Sequence, residues 1–178
     1  MTLSKDINHI ELTKTSLEQL GYDVEYEHGL FFSLHNIPPS LVSFKKDGED
    51  VKDLVIPSTY SYLEYTYEIF EIYSEVFYCC SSLTSVTIPN SVIEIGREAF
   101  KDCSSLTSIT IPDSVKNIGY NAFRGCSSLT SVTIPDSEIT TGYAIFDGCT
   151  SLKSVNVSNS DRKIDLSEFV HYPRLVQY

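Results

Sequence analysis

Cys80-Ser-Ser-Leu-Thr-Ser-Val-Thr-Ile-Pro-Asn-Ser-Val-Ile-Glu-Ile-Gly-Arg-Glu-Ala-Phe-Lys-Asp102 is followed at once by a second version of itself, Cys103–Gly125, and then by a third, Cys126–Gly148. The first and second copies agree at 15 of 23 positions, and the second and third also agree at 15. The register runs on in degenerate form. Phenylalanine stands at 77, 100, 123, 146 and 169, and leucine at 83, 106, 129, 152 and 175. The cysteine column ends in Tyr172, so the last copy is partial and altered, as expected of a terminal cap. A fixed period of this length is the signature of one supersecondary unit stacked on itself.

Within one copy, Leu83, Val86 and Ile88 alternate with the small polar residues Thr84, Ser85 and Thr87. This predicts a short strand with Val86 and Ile88 on its buried side. Pro89 has no backbone donor and should end it. Val92 and Ile95 point inward again and Gly96 permits a tight bend. Ala99-Phe100 then opens a short helical or 3₁₀ turn towards Cys103. Each unit has an apolar face that it cannot bury alone, so stacking must supply the core.

The pattern Leu-x-x-Val-x-Ile-Pro-x-Ser-Val-x-x-Ile-Gly-x-x-Ala-Phe-x-x-Cys resembles the BspA-like (Treponema pallidum type) leucine-rich repeat, over roughly residues 53–178. The resemblance implies an α/β solenoid: a right-handed leucine-rich-repeat coil of 23-residue repeats with a parallel β-sheet on one face. It further implies an adhesin or an interaction surface, with no shared catalytic residues to carry over.

The flanks divide the chain into a cap, residues 1–50, and a solenoid, residues 51–178. In the cap, Ser4 as N-cap and the apolar stripe Leu3, Ile7, Ile10, Leu17, Leu20 predict a helix that Gly21 stops. Tyr22-Asp-Val-Glu-Tyr-Glu27 and Leu30-Phe-Phe-Ser-Leu34 read as two strands, and Lys45-Lys-Asp-Gly-Glu-Asp50 as a polar loop between strands. Such a small α+β unit cannot hold a core alone and is expected to cover the first turn of the coil. Residues 165–178 are expected to close the other end. Inside the solenoid, the distance from Pro57 to Phe77 exceeds that from Pro89 to Phe100 by nine residues. The extra length is a tyrosine-rich insertion, residues 58–78, whose Leu63, Tyr67, Phe70, Tyr73 and Phe77 fall at helical spacing.

The chain has 178 residues, 24 acids and 13 bases, for a net charge of −11. That balance argues against direct nucleic-acid binding and against docking on an anionic membrane. No apolar run approaches the ~20 residues that span a bilayer, and Met1–Lys14 contains no signal-peptide core. The expectation is a cytoplasmic chain, or a secreted or cell-surface one if an upstream signal has been removed. The five cysteines do not close a disulfide set, and four of them, Cys80, Cys103, Cys126 and Cys149, form one column. Their spacing lacks the Cys-x-x-Cys pairs of a zinc site and fits a ladder of buried apolar side chains. Cys79 should then be the more exposed thiol. The histidines at 9, 28, 35 and 171 show no ligand spacing. No nucleophile elbow, phosphate loop or His-Glu-x-x-His is present. No catalytic residue, metal or cofactor is expected. The acceptor pattern Asn156-Val-Ser158 lies on an expected strand.

What remains is recognition. The outward ladder Thr84, Ser85, Thr87 is identical in all three copies, whereas interfaces use aromatic or Arg anchors at chosen points. Variation falls at Arg97, Tyr120 and Tyr143, at Lys101, Arg124 and Asp147, and in the insertion. The candidate partner-binding residues are therefore Tyr60, Tyr62, Glu64, Tyr65, Tyr67, Glu68, Glu71, Tyr73, Tyr120 and Tyr143. Residues 1–80 hold 14 acids and 5 bases, so most of the net charge lies in the irregular half. The expected function is a monomeric, non-enzymatic protein–protein interaction module that uses that acidic, tyrosine-rich half. The alternatives are an acidic decoy for the basic nucleic-acid site of a host or defence enzyme, and a secreted surface adhesin.

Overall fold

The computed structural model of the chain describes residues 9–12, 18, 23–26, 41–46, 49–62, 65–137, 139–158, 163–165 and 174–175. Among these the extended elements are β1 (His9–Leu12), β2 (Asp23–Tyr26), β3 (Leu41–Lys46), β4 (Glu49–Asp50), β5 (Asp53–Val55), β6 (Thr59–Tyr62), β7 (Tyr65–Ile72), β8 (Ser85–Thr87), β9 (Glu94–Ile95), β10 (Ser108–Thr110), β11 (Asn117–Ile118), β12 (Ser131–Ile134), β13 (Ile139–Thr141), β14 (Ser154–Val157), β15 (Lys163–Asp165) and β16 (Arg174–Leu175).

They form a parallel β-solenoid. β5, β8, β10, β12 and β14 run parallel on one side, and β7, β9, β11 and β13 run parallel on another. Val86, Ile109, Val132 and Val155 share one register column, so the 23-residue step returns each side chain to its place one turn later. Two further strands lie antiparallel on the last turn, β15 against β14 and β16 against β13. At the first turn, β1 pairs parallel with β7 and β6 pairs antiparallel with it.

The core is a set of columns running along the coil. Leu54 and the four residues of the Val86 column form one, Ile72, Ile95 and Ile118 another, and Leu83, Leu106, Leu129 and Leu152 a third, all buried. Phe77, Phe100, Phe123 and Phe146 stack face to face with centroid spacings of 5.1, 5.4 and 5.7 Å. Cys80, Cys103, Cys126 and Cys149 are buried free thiols. Cys103, Cys126 and Cys149 each donate to the carbonyl of a phenylalanine one turn back, at 3.1–3.2 Å. Burial pushes the Cys103 thiol well above its ordinary value. The column is structural.

Four expectations are corrected. The α/β class does not hold for the repeats, which are β and turn throughout. The reason lies in the segment from Ala99-Phe100 to Cys103, expected to be a short helical or 3₁₀ turn, and in the residue before it. Glu98, Phe100 and Asp102 donate their N–H groups to the next turn, at Tyr120, Ala122 and Arg124. Ala99, Lys101 and Cys103 bond back three residues. Half of the donors an α-helix would need are thus committed between turns. The parallel sheet is likewise not confined to one face, because Glu94–Ile95 and its equivalents build the second sheet. In the insertion, the helical spacing of Leu63 to Phe77 is overridden. Tyr65–Ile72 is a strand, with Tyr60 opposite Tyr67 and Tyr62 opposite Tyr65. His9–Leu12, inside the expected N-terminal helix, is also a strand, because it can add to the open edge of β7.

Asp23–Tyr26 is a strand as read, and it pairs with β3, which pairs in turn with β4. The loop read at 45–50 is shorter than expected, because Lys45 and Lys46 pair as strand residues with Asp50 and Glu49; Asp47 and Gly48, like the strand read at 30–34, lie outside the described residues. The acceptor Asn156 sits in β14, between β12 and β15, with Nδ2 donating to Ser131 Oγ at 3.4 Å.

One column is flawed. After Ile72, Ile95 and Ile118, the third copy places Thr141, which is buried with its hydroxyl unpartnered among the described residues. An unmade hydrogen bond of this kind costs about 1–3 kcal/mol. Thr141→Val is therefore expected to raise the melting midpoint by roughly 2–4 °C, since about 1 kcal/mol or more is regained. A thermal melt in which Thr141→Val matches or falls below the parent chain would show that the hydroxyl is satisfied.

Candidate functional site

Each turn has a corner where the chain leaves the second sheet and enters the phenylalanine stack. Two residues per corner adopt positive φ. They are Glu75, Glu98, Asn121 and Ala144 in one column, at 54–64°, and Cys79, Asp102, Gly125 and Gly148 in another, at 59–75°. The backbone reverses twice in a few residues: Ala99 and Phe100, between the two columns, turn into the core, while Arg97, just before the first column, and Lys101, just before the second, lie towards the surface with their equivalents on later turns. Both outward positions are among those at which the copies differ.

The corner carries two rows. In the first, Arg97, Tyr120 and Tyr143 occupy equivalent places on successive turns. Tyr120 and Tyr143 are 52% and 54% exposed, and their ring centroids lie 5.7 Å apart, tilted by 37°. Tyr73, one turn before Gly96, is 46% exposed at the end of β7. The second row is Tyr78, Lys101, Arg124 and Asp147. Lys101 Nζ sits over the Tyr78 ring at 4.9 Å. Burial, then Cys79, pushes the Tyr78 hydroxyl up to about 12. Arg124 Nε meets Asp147 Oδ2 at 3.1 Å in a largely exposed pair.

Beneath both rows lies Glu98, one of two buried polar side chains among the described residues. Its Oε1 accepts from Arg97 Nε and Nη2 at 3.3 and 3.2 Å and from Asn121 Nδ2 at 3.2 Å. Its Oε2 accepts from Lys101 Nζ at 3.1 Å. Burial alone would raise this carboxyl. The hydrogen bonds from Asn121, Lys101 and Arg97 outweigh it and hold the group below the usual carboxylate range. Glu75, one turn earlier, is pushed the other way, first by burial and then by the charge of Glu98.

The sheet face differs. Thr84 Oγ1 donates to the Lys52 carbonyl at 3.0 Å, Thr107 to Thr84 at 3.2 Å and Thr130 to Thr107 at 3.1 Å. Those hydroxyls are used in holding turns together, which explains why the copies keep them.

Of the candidates read from the sequence, the structure brings Tyr120 and Tyr143 into contact and leaves Tyr73 exposed at the same corner. Glu68 is exposed and Glu71 half-buried on β7, and both have partners. Tyr60, Tyr62, Tyr65 and Tyr67 belong to the β6–β7 hairpin by their backbone. Glu64 lies outside the described residues. Glu98 and Asn121 escaped the sequence reading. The available signal was a charged residue directly before the buried Ala99-Phe100 pair, where a carboxylate needs partners. Among the described residues no three His, Cys, Asp or Glu side chains come together as metal ligands would, and no helix is long and apolar enough to cross a membrane.

Comparison with known proteins agrees with this architecture. A family model described as a BspA type leucine rich repeat region matches residues 70–177 in six copies. No curated protein matches the chain. Among solved structures, a leucine-rich repeat protein from Bacteroides capillosus ATCC 29799 is 26% identical with a TM-score of 0.59, over 78% of this chain and 95% of that one. One from Bacteroides ovatus ATCC 8483 is 29% identical with a TM-score of 0.52, over 75% of this chain and 39% of its own length. The leucine rich repeat protein of T. pallidum shares the fold at 24% identity and a TM-score of 0.55, over 80% of this chain and 64% of that one. This chain thus spans about two fifths of the Bacteroides ovatus protein and under two thirds of the T. pallidum one.

Proposed function

The chain belongs to the BspA-type leucine-rich repeat family, and from that premise we propose that it is a non-enzymatic module that binds a protein partner. The contact surface would run from the acidic, tyrosine-rich hairpin β6–β7 through Tyr73 to the exposed pair Tyr120 and Tyr143. That half-exposed tyrosine pair, in contact on one corner of the coil, carries the proposal. Tyrosine offers large contact area with little side-chain freedom to lose, and such residues dominate interface energies. The repeat supports the corner from below through the Phe stack, so the rings are presented on a surface that need not reorganise on binding.

The test is affinity purification from the native host with mass spectrometry, followed by binding measurements with the purified partner. Tyr120→Ala combined with Tyr143→Ala is expected to weaken binding about 30-fold or more, since each anchor contributes ~1–2 kcal/mol. The melting midpoint should move by less than ~3 °C, because neither ring is in the core. Unchanged affinity in the double variant would remove the corner from the interface.

The charge of residues 1–80 supports a second reading, the acidic decoy. It differs in one observable: binding through that half to a basic site would fall steeply as salt rises, and would survive the two tyrosine substitutions.

A further inference from the structure

Glu98 is 4% exposed at its side chain, whereas Arg97, bonded to it, is 60% exposed. The acid is inside and the guanidinium is outside. Lys101, only 17% exposed, already occupies the other carboxylate oxygen. Arg97 spends Nε and Nη2 on a single oxygen, Oε1, so its remaining N–H donors out of five face away from Glu98. Arg124, in the other row and on the next turn, has Nε against Asp147 Oδ2 and a side chain 48% exposed. That pair is exposed on both sides and is worth little, so Arg124 can turn to another carboxylate at small cost. Tyr120 stands in the column of Arg97, on the turn of Arg124, and packs on Tyr143. Of the four bases between residues 81 and 150, three belong to this corner.

We propose that the partner segment seated on this corner is acidic, its carboxylates taken by Arg97 and Arg124 while its apolar side chains lie on Tyr120 and Tyr143. The inference rests on the interaction reading above and names the chemistry of the partner. Arg presents a planar fork that fits a carboxylate with two parallel hydrogen bonds, and Lys101, held between Glu98 Oε2 and the Tyr78 ring, cannot substitute for it. Glu98 is the positioning residue. By holding Arg97 along one edge, it removes most of the rotamer freedom that a free surface arginine would lose on binding. Glu75 and Asp102 flank the corner, and the chain as a whole is negative. Long-range attraction therefore does not bring an acidic segment here, and recognition depends on the two short-range forks.

The experiment uses the full chain and two short fluorescein-labelled peptides, one of alternating Glu and Leu and one of alternating Gln and Leu, with binding read by anisotropy. The Glu peptide is expected to bind about tenfold tighter than the Gln peptide, the gain of one to two charge-assisted hydrogen bonds. Arg97→Gln together with Arg124→Gln should abolish that preference and leave the Gln peptide unaffected. Lys116→Gln, an exposed cation elsewhere on the coil, should leave the preference intact. A Glu peptide that binds no tighter than the Gln peptide, or a preference that survives the double Arg substitution, overturns the inference. Tyr120→Ala with Tyr143→Ala separates the two proposals. If it weakens the purified partner while the Glu preference is missing, the tyrosine corner stands and acidic recognition falls. If it has no effect on the partner while the Arg-dependent preference persists, acidic recognition stands and the tyrosine corner falls.

Discussion

Gly119→Ala is expected to lower the melting midpoint by roughly 10 °C, a loss of about 3 kcal/mol or more. The methyl group would meet the backbone nitrogen of Arg97 at 2.5 Å and its Cα at 2.7 Å. Neither is the end of a flexible side chain, so the turns themselves must part. Parting them lengthens Gly119 N–H to Ile95 O, now 2.8 Å, and Glu98 N–H to Tyr120 O, also 2.8 Å. Each such bond is worth about 1 kcal/mol, and several stand side by side on this ladder. The same substitution at Gly148 serves as the control. There a Cβ would approach Gly125 no closer than 3.3 Å, and the cost is mainly that of positive φ, about 1–2 kcal/mol. Differential scanning calorimetry compares the two directly. Equal midpoints for Gly119→Ala and Gly148→Ala would show that close turn-to-turn approach is not what the glycine column serves.

Phe123→Ala is expected to cost about 3–5 kcal/mol, the range for a buried aromatic truncated in a packed core. Its ring is fully buried between Phe100 at 5.4 Å and Phe146 at 5.7 Å. The backbone around it is committed to both neighbouring turns, with Phe123 N–H donating to Ile145 O and Ala122 O accepting from Phe100 N–H, so the cavity cannot collapse. In a coil whose turns touch only their neighbours, the damage uncouples the turns on either side. Phe146→Ala, at the more accessible end of the stack, should cost less. Urea denaturation measures both, and the order Phe146→Ala worse than Phe123→Ala would contradict the stacking account.

Much of the solenoid was legible in the sequence because its physics repeats. A side chain that must fit the same space every 23 residues leaves the same letter, hence the Phe, Leu and Cys columns and the Gly column of 96, 119 and 142. The strands at 85–87 and its equivalents followed from alternation, and the end of each from Pro. Of the helical or 3₁₀ turn read at Ala99-Phe100, only isolated three-residue turn bonds form and no helix, because spacing records which side chains are buried and not where the N–H groups go. At this corner they go to the next turn. The tyrosine insertion failed for a related reason: Leu63, Tyr67, Phe70, Tyr73 and Phe77 suit a helix, but an open strand edge beside β9 offered pairing that a lone amphipathic helix could not match. Of the candidate surface, Tyr120 and Tyr143 were visible as aromatic residues at one of the positions where the copies vary, replacing Arg97 of the first. Glu98 was not, since only the fold shows that the side chain before Ala99 turns inward and meets Arg97, Lys101 and Asn121.

The sequence by itself determined the period, the family, the columns of the core and the neutral character of the repeats against the acidic first half. Those are one-dimensional facts, set by what each position must bury. Tertiary structure alone decided that the corner is β and turn, that Glu75, Glu98, Asn121 and Ala144 bend left-handed, and that Arg97 is held outward by a buried carboxylate. The corner and its left-handed bends depend on hydrogen bonds to residues 22 positions away, and the inward carboxylate that holds Arg97 is itself bonded by Asn121, 23 positions on. These partners are known only once one turn lies on the next.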